Sequence, residues 1–373
     1  MLKWIVFLLA LTVFFFLALL RMLIGVDYGF TSPPLIPPNN DGFPMGHDMR
    51  NDRIMEQIEF LPSELKSQPV IIYVPEDVAS IRPGNYELAA SRCIVQNCIL
   101  SSLDSHRLTA DVIFFSPTSS FSFAYPRPRE QLWVMQLLES PENTMNLSDY
   151  NGRVNYTASY RYDSDLVSPY GKWIRNKHSK ENVKPPTRRK TKDVLWLVSH
   201  CITNNARMQY ANELGRFIQV DIYGDCGERK IPKAEGVQRL KEEYRFYLSF
   251  ENSNCLQYVT EKFFDNALQN DAIPIVMGAS VEFYETIAPP HSFIHVDQFD
   301  SPNDLAKYLH YLSSNENAYN EYFAWRSVGH FADTKLWCRL CALAQQPKPK
   351  IYTDIEQWWH SPNQCSRRRQ GYS

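Results

Sequence analysis

The hydrophobic pattern of residues 244–280 constrains the fold of this chain more than any other feature, because strand-like and helix-like periods alternate within it. Apolar runs at 246–250 and 273–277 are typical of buried strands, and a polar turn at 251–254 follows the first run. Between the runs lies a helical face, with Thr260 as a suitable N-cap, that consists of Phe263, Phe264, Ala267 and Leu268. Strand, loop, helix and strand make a βαβ unit, which predicts a parallel sheet.

Polar residues fill the loop and the start of the helix in this unit. Ligands of parallel sheets bind beyond the carboxyl ends of the strands, close to the N-termini of helices. At that position the chain carries a polar and charged set, namely Glu251, Asn252, Tyr258, Glu261 and Lys262. Buried elements do not need such a set. The sequence therefore predicts a ligand site here.

The same stretch resembles the signature of the α1,3-fucosyltransferases, glycosyltransferase family 10, in the ordered segments FENS, YVTEK, NAL and IPIVMG. The similarity extends from about Ile71 to Leu343. It implies an enzyme that moves L-fucose from GDP-fucose to the 3-hydroxyl of an N-acetylglucosamine. It also implies an α/β fold of two Rossmann-like, doubly wound domains that face a cleft, the arrangement called GT-B.

The N-terminus predicts a membrane anchor. Residues 4–20 are apolar apart from Thr12, and Arg21 separates them from the apolar residues 22–26. A spanning helix needs about 20 such residues, whereas the apolar region of a cleaved signal peptide has about 7–15. The length favours an uncleaved anchor at 4–26 over a signal peptide, with residues 1–3 as a cytoplasmic tail.

The compartment is indicated by cysteines and sequons. All eight cysteines follow the predicted span, and N-glycosylation sequons begin at Asn146 and Asn155. Both features suit an oxidising, glycosylating lumen. We expect a single-pass type II protein with a lumenal body, which the resemblance places in the Golgi membrane. The net charge of -2 argues against a nucleic-acid partner.

Strand and helix patterns alternate in both halves of the remaining chain, as two doubly wound domains require. Predicted strands are 70–74, 112–115, 132–138, 194–198 and 220–223, and predicted helices are 206–217 and 304–312. We divide the chain into a Pro-rich stem at 27–68, an acceptor-side domain at 69–180, a linker at 181–192, a GDP-fucose-binding domain at 193–345 and a C-terminal tail at 346–373. The basic linker could contact a polyanion or a membrane, but a solvated charge run is favoured.

Sugar transfer from a nucleotide diphosphate needs a base for the acceptor hydroxyl and positive charge for the departing diphosphate. The resemblance places the base at Glu139, in a W-x-x-x-x-x-E-S-P segment, and a phosphate-binding cation at Arg207. Glu139 follows an apolar run, so we expect partial burial to raise its pKa. The alternative is an ordinary glutamate that caps a turn at the end of a strand.

The charged set of the βαβ unit divides into further roles. Lys262 can offer a point charge to phosphate at the start of a helix, while a guanidinium such as that of Arg207 can grip two phosphate oxygens. The resemblance implies that Glu261 and Tyr258 contact the ribose or the fucosyl ring. For Glu251 and Asn252, ordering of the loop and direct contact with the nucleotide both remain open.

A second segment, residues 159–171, resembles the family pattern Y-R-x-D-S-D-x-x-x-P-Y-G, with candidate acceptor-side or structural residues Arg161, Asp163, Asp165 and Tyr170. The two aspartates could also form a manganese-binding D-x-D motif, but the acids of such a motif normally follow a buried strand, whereas these follow Ser-Tyr-Arg-Tyr. The diphosphate also already has predicted cationic partners. We therefore predict no protein metal site and no cofactor apart from the substrate GDP-fucose, and leave manganese stimulation open.

The pair Cys338 and Cys341 could suggest zinc or redox chemistry, but there is no second C-x-x-C to complete four zinc ligands. Structural disulfides are favoured, and eight cysteines allow about 105 connectivities. The candidates are Cys93, Cys98, Cys201, Cys226, Cys255, Cys338, Cys341 and Cys365.

The acceptor is the least constrained part of the function. The chain resembles invertebrate members that act on the innermost N-acetylglucosamine of N-glycans, with Lewis-type fucosylation of outer antennae as the alternative. The expected partners are GDP-fucose, an N-glycan acceptor and the membrane. A glycan-binding protein with an inactive transferase fold should have lost Glu139, Arg207, Glu261 or Lys262, and all four are present.

Overall fold

The computed structural model describes residues 42–46, 50–120, 127–178, 190–227 and 229–366. The described residues from Phe43 onwards form one compact unit. The predicted anchor at 4–26, residues 27–41 and 47–49 of the predicted stem, and residues 181–189 of the predicted linker lie outside the described residues. Within those described ranges, no helix has the length and apolar character needed to cross a membrane.

The first half of the chain forms a parallel sheet of six strands. The strands are β1 Val70–Tyr73, β2 Cys98–Ser101, β3 Val112–Phe115, β4 Leu132–Leu137, β5 Tyr156–Ser159 and β6 Leu166–Val167. Their order in the sheet is β2-β1-β3-β4-β5-β6. Strand β3, in the middle of the sheet, is buried along its whole length, as expected where both faces of a parallel sheet are covered.

The second half contains a second parallel sheet. The remaining strands are β7 Trp173–Arg175, β8 Lys192–Leu197, β9 Val220–Tyr223, β10 Tyr244–Phe250, β11 Asn254–Cys255, β12 Ile273–Met277, β13 Ile294–His295, β14 Gly329–Phe331 and β15 Cys365–Ser366. The order in the second sheet is β13-β12-β10-β8-β9. Two short antiparallel pairs, β7 with β14 and β11 with β15, complete the strands of the described chain. Two parallel sheets confirm the predicted α/β class.

Helices flank both sheets. They are α1 Ile54–Glu59, α2 Tyr86–Ala90, α3 Arg207–Leu214, α4 Lys233–Glu243, α5 Val281–Ile287, α6 Pro302–Ser314, α7 Glu316–Glu321, α8 Leu336–Gln345 and α9 Ile355–His360. The helix of the opening βαβ unit is a π-helix, Lys262–Ala267. The N-cap of this helix is Glu261, one residue after the predicted Thr260. The carbonyl of Thr260 accepts hydrogen bonds from the N–H groups of Phe263 at 3.1 Å and Phe264 at 3.5 Å.

The end of the chain returns to the first sheet. Helix α8 packs in the core of that sheet through Leu340 and Leu343. Tyr352, Ile355 and Trp359 pack in the hydrophobic cluster that contains Phe115 and Trp133 of the same sheet. The packing therefore differs from the predicted division at residue 345: α8 and the side chains of Tyr352, Ile355 and Trp359 pack with the first sheet, so part of the predicted tail is core.

Part of the predicted stem is also folded. The guanidinium of Arg53, just before α1, donates to the carbonyls of Tyr162 at 2.7 Å and Ser164 at 2.9 Å. The amide of Gln57 in α1 donates to the carbonyl of Asp165 at 2.8 Å. These buried hydrogen bonds attach α1 to the segment that resembles the family's second motif, so residues 53–57 are not an extended tether.

Candidate active site

The loops after β4 and β10 meet at the carboxyl ends of the two sheets. Ser140, next to Glu139, and Ser253, in the loop after β10, have their hydroxyl oxygens 2.9 Å apart. Asn143 donates from its side chain to Ser253 Oγ at 2.9 Å. Sequence reasoning missed these bridging residues, although each serine adjoins a motif residue, in E-S-P and F-E-N-S. The bridge brings Glu139 beside the βαβ unit.

Glu139 is held through one of its two carboxylate oxygens. Its Oε1 accepts hydrogen bonds from the Ser140 N–H at 2.8 Å, Asn252 Nδ2 at 3.0 Å and Tyr258 Oη at 2.7 Å. The side chain is exposed. Among the described residues none donates to Oε2. The carboxylate is therefore fixed in orientation, with one oxygen left for another proton donor.

The expected rise in the pKa of Glu139 is wrong. Partial desolvation of the carboxylate by its neighbours does raise its pKa, although the side chain is exposed. Hydrogen bonds from Asn252, Ser140 and Tyr258, together with the charge of Lys262, outweigh the desolvation and lower the pKa overall. Donors that bond to the charged form stabilise it. Two of them come from residues far along the chain, so the apolar run before Glu139 gave no sign of them.

Glu251 has the opposite environment. Its side chain is fully buried, and its carboxylate accepts from the Thr260 N–H at 2.8 Å and from Lys262 Nζ at 3.0 Å. Burial raises the pKa of Glu251, although the charge of Lys262 opposes the rise. Of the two roles left open by the sequence, these contacts support ordering of the loop. Its neighbour Asn252 instead donates to Glu139.

The ammonium group of Lys262 lies between two carboxylates. Besides Glu251, it lies 3.7 Å from Glu261 Oε1, which is also 3.8 Å from Lys233 Nζ. Burial lowers the pKa of Lys262, but the two carboxylates outweigh burial and raise the pKa overall. Lys262 is therefore a protonated cation at the start of the π-helix, where the sequence predicted a phosphate contact.

Arg207 begins α3 and is almost fully buried. Its Nη1 donates to the Phe250 carbonyl at 2.8 Å and its Nη2 to the His200 carbonyl at 2.6 Å. Its buried Nε has no hydrogen-bond partner in the described chain. Two of the five N–H groups of the guanidinium thus bond to the backbone, and three remain, one of them on the buried Nε. The grip on two phosphate oxygens stays a prediction.

The charged residues of the second motif form two separate ion pairs. Arg161 pairs with Asp163, with Nε 2.9 Å from Oδ1, and donates to the Trp358 carbonyl at 2.9 Å. Asp165 accepts from the Thr157 N–H at 2.9 Å and pairs with Lys350. Both aspartates therefore already have a cation of this chain as a partner.

Tyr170 lies close to the candidate base. Its Oη donates to the carbonyl of Leu138 at 2.8 Å, one residue before Glu139. Tyr170 therefore anchors the backbone that carries Glu139, whereas Tyr258 contacts the carboxylate itself. The prediction that Tyr258 contacts a sugar ring stays a prediction, and so does the same prediction for Glu261.

All eight cysteines form disulfides, which confirms the predicted structural role. The bonds are Cys93–Cys338, Cys98–Cys341, Cys201–Cys226 and Cys255–Cys365. The first two tie α8 to the first sheet, and the third joins the loops after β8 and β9. The fourth joins the loop after β10 to the end of the described chain.

The two sequon asparagines differ in their surroundings. Asn146 is exposed, and its Nδ2 donates to Glu356 at 3.2 Å. Asn155 is half-buried, with Nδ2 donating to the Lys350 carbonyl at 2.8 Å and Oδ1 accepting from the Trp133 N–H at 2.8 Å. Glycosylation of both asparagines stays a prediction.

Two family models match the sequence of this chain. The family model described as "Fucosyltransferase, N-terminal" matches residues 66–171. The model described as "Glycosyltransferase family 10 (fucosyltransferase) C-term" matches residues 187–358. The two matched ranges include the first and second parallel sheets respectively, so both halves of the site are covered.

Curated relatives extend over most of the chain. Glycoprotein 3-alpha-L-fucosyltransferase A of Drosophila melanogaster is 38% identical over 343 residues, which cover 86% of this chain and 67% of the relative. Alpha-(1,3)-fucosyltransferase 7 of Bos taurus is 39% identical over 240 residues, 63% of this chain and 68% of the relative. A crystal structure of an alpha1,3-fucosyltransferase with GDP-fucose covers 80% of this chain and 98% of its own, with a TM-score of 0.49 and 16% identity. The chain belongs to glycosyltransferase family 10, the fucosyltransferases.

Proposed function

We propose that this enzyme transfers L-fucose from GDP-fucose, with inversion, in α1,3 linkage to the innermost N-acetylglucosamine of glycoprotein N-glycans. The observation that carries the proposal is the meeting of an oriented carboxylate, Glu139, with the cations Lys262 and Arg207 at the ends of two parallel sheets. A base and a diphosphate-stabilising charge are the two demands of this reaction.

Glu139 acts as the base in this proposal. Its lowered pKa keeps it ionised at neutral pH. Because its hydrogen bonds end on Oε1, Oε2 is the atom that takes the proton from the acceptor 3-hydroxyl as that oxygen attacks the fucosyl carbon. The diphosphate leaves from the opposite face, as inversion requires.

The diphosphate is bound at the second sheet in this proposal. Lys262 supplies a point charge, and Arg207 supplies a buried positive charge and the N–H groups that do not bond to the backbone. Glu251 does not reach the nucleotide, because it is fully buried beneath Lys262. We further propose that the protein is a type II protein of the Golgi membrane with this site in the lumen.

The choice of acceptor rests on similarity to the Drosophila glycoprotein 3-alpha-L-fucosyltransferase A, which extends over 86% of this chain. Antennal fucosylation is the second candidate, because a 4-galactosyl-N-acetylglucosaminide 3-alpha-L-fucosyltransferase of Gorilla gorilla gorilla is also 38% identical, over 66% of this chain.

The test incubates the purified full chain with GDP-fucose and two glycopeptides, one with a bare N-glycan core and one with N-acetyllactosamine antennae. Fragment mass spectra should place fucose on the innermost N-acetylglucosamine of the first. Fucose found on antennae alone would replace the core assignment with the antennal one. No acceptor-dependent release of GDP with either glycopeptide would favour a glycan-binding protein.

A further inference from the structure

Four side chains form a continuous polar network between the two loops that meet at Glu139. Asn143 Nδ2 lies 2.9 Å from the hydroxyl oxygens of both Ser140 and Ser253, which are themselves 2.9 Å apart. Ser253 Oγ is also 3.2 Å from Asn252 Oδ1, and Asn252 Nδ2 donates to Glu139 Oε1. Both serines are fully buried, so bulk water does not compete for their hydroxyl groups.

The direction of each hydrogen bond in this network follows from the protons available. An amide oxygen only accepts, so the single proton of the Ser253 hydroxyl is donated to Asn252 Oδ1. Ser140 must then donate the proton in the bond between the two serines. The amide nitrogen of Asn143 donates one N–H group to each serine. Ser253 Oγ thus donates once and accepts twice, which is the full capacity of a hydroxyl group.

Reversal of the Asn252 amide would break this pattern. Its nitrogen would then donate to Ser253, whose proton would turn to Ser140. The described residues offer no further acceptor for the buried Ser140 proton, and such an unmet group is costly. The amide oxygen would also face Glu139 Oε1 where the nitrogen now lies 3.0 Å away. Two acceptor oxygens at that distance repel each other while the carboxylate is ionised.

We infer that Ser253 is a positioning residue for fucosyl transfer, because its hydroxyl holds the Asn252 amide with the nitrogen towards Glu139. The inference rests on the proposed role of Glu139 as the base. Ser253 acts through Asn252 and not on the substrate. The held orientation favours the ionised carboxylate, whereas a reversed amide would accept a proton from the neutral acid.

The orientation of Asn252 therefore affects the protonation of Glu139. Desolvation raises the pKa of Glu139, and the hydrogen bond from Asn252 is the largest of the influences that lower it. Loss of the held orientation should raise this pKa. The other ionisable groups that act on Glu139 stay in place when Ser253 is changed, and they are Lys262, Arg207, Tyr160, Tyr170 and Tyr258.

The pH profile of kcat/KM tests the inference, using the purified full chain, GDP-fucose and a glycopeptide whose N-glycan has both a core and antennae. In Ser253→Ala the Asn252 amide can reverse, so the acidic limb should move to higher pH. The loss of kcat/KM relative to the wild type should be greatest at low pH and shrink as the pH rises. An unshifted limb in folded Ser253→Ala would overturn the inference.

Two further variants separate the orientation of the amide from the packing of the loops. Ser140→Ala should leave the limb in place, because among the described residues Ser253 then has no acceptor for its proton other than Asn252. The double variant Ser140→Ala/Ser253→Ala leaves no buried hydroxyl unpartnered, so it should fold even if Ser253→Ala does not, and it should show the shifted limb. An equal shift in Ser140→Ala alone would overturn the inference, because loop packing would then set the limb.

Two comparisons then assign the shift to its cause. Asn252→Ala removes the donor to Glu139, so adding Ser253→Ala to it should move the limb no further, and a further shift would overturn the inference. If Glu139→Gln were fully active, the proposed base would fail and the inference with it. If Glu139→Gln is inactive while Ser253→Ala keeps the wild-type limb, the inference alone fails.

Discussion

One strand of each parallel sheet is followed by a glutamate: β4 by Glu139 and β10 by Glu251. The two glutamates have opposite surroundings. Glu139, after the first sheet, is exposed, and three hydrogen-bond donors act on one of its oxygens. Glu251, after the second sheet, is fully buried and ion-paired with Lys262. The pKa is lowered in the first case and raised in the second.

In the proposed function, this difference separates a reacting group from a positioning group. Carboxylates in one site take different roles when their environments move their pKa values apart. Glu139 has one carboxylate oxygen without a donor, which we propose takes the proton of the acceptor hydroxyl. Glu251 is fully buried and paired with Lys262, so we propose that its charge places the ammonium group.

Glu139→Gln is expected to give the largest effect on activity, because it removes the base but keeps the shape of the side chain. We expect kcat to fall about 10²–10⁴-fold, the usual contribution of general base catalysis. The melting temperature should stay within experimental error of the wild type. Initial rates of GDP release with a saturating acceptor measure the effect. Glu142→Gln in the same loop serves as the control, and full activity of Glu139→Gln would remove Glu139 from the mechanism.

Glu251→Gln should act mainly on stability, which would sharpen the contrast. Removal of one partner from a buried ion pair typically costs about 3–5 kcal/mol of unfolding free energy. Urea denaturation of this variant, of Lys262→Met and of the double variant should show that the two losses are not additive.

The matched control for this pair is Lys307→Met, since Lys307 pairs with Asp304 at an exposed position. Loss of an exposed pair should cost about 1 kcal/mol or less. If Glu251→Gln were as stable as that control, the carboxylate would not be holding a buried cation, and a direct role with the nucleotide would regain support.

Tyr258→Phe should shift the pH dependence of transfer with a smaller loss of rate. The base works when ionised, so activity rises with pH through the pKa of Glu139. Tyr258 is one of the donors that lower this pKa. Its loss raises the pKa, so the acidic limb of kcat/KM should move to higher pH.

Tyr170→Phe provides the control for the pH profile. Tyr170 donates to the Leu138 carbonyl and not to the carboxylate, so its variant should leave the acidic limb in place. A shift in the opposite direction for Tyr258→Phe would show that its hydroxyl does not stabilise the charged form of Glu139.

The fold was predictable where burial is uniform along an element. Strands Val112–Phe115 and Ile273–Met277 are buried throughout and appear in the sequence as unbroken apolar runs. Tyr156–Ser159 is equally buried but was missed, because its polar Thr157 bonds to Asp165. Helix Leu336–Gln345 was assigned to the wrong half, since its packing and its disulfides join it to residues far back in the chain, with Cys93 and Cys98 lying 245 and 243 residues before their partners.

The environment of the candidate site residues could not be predicted from the sequence. Glu139 and Glu251 both follow apolar runs, so local sequence gives both the same expected pKa change. The difference comes from Asn252 and Tyr258, which lie 113 and 119 residues beyond Glu139. Such contacts depend on how two sheets are placed, and hydrophobic periodicity carries no information on that placement.

Removal of metal ions should have the smallest effect on activity. It tests whether the aspartates of the second motif act on the substrate, as proposed for Glu139, or only form ion pairs within the protein, as Glu251 does. A divalent cation would need free carboxylate oxygens, but Asp163 pairs with Arg161 and Asp165 with Lys350. Excess EDTA should therefore leave the transfer rate unchanged, with added manganese as the matched condition. Asp165→Asn should instead lower the melting temperature, because it leaves Lys350 unpaired and weakens the bond to the Thr157 N–H. Abolition of transfer by EDTA, with recovery on adding manganese, would show that the diphosphate needs more charge than Lys262 and Arg207 provide.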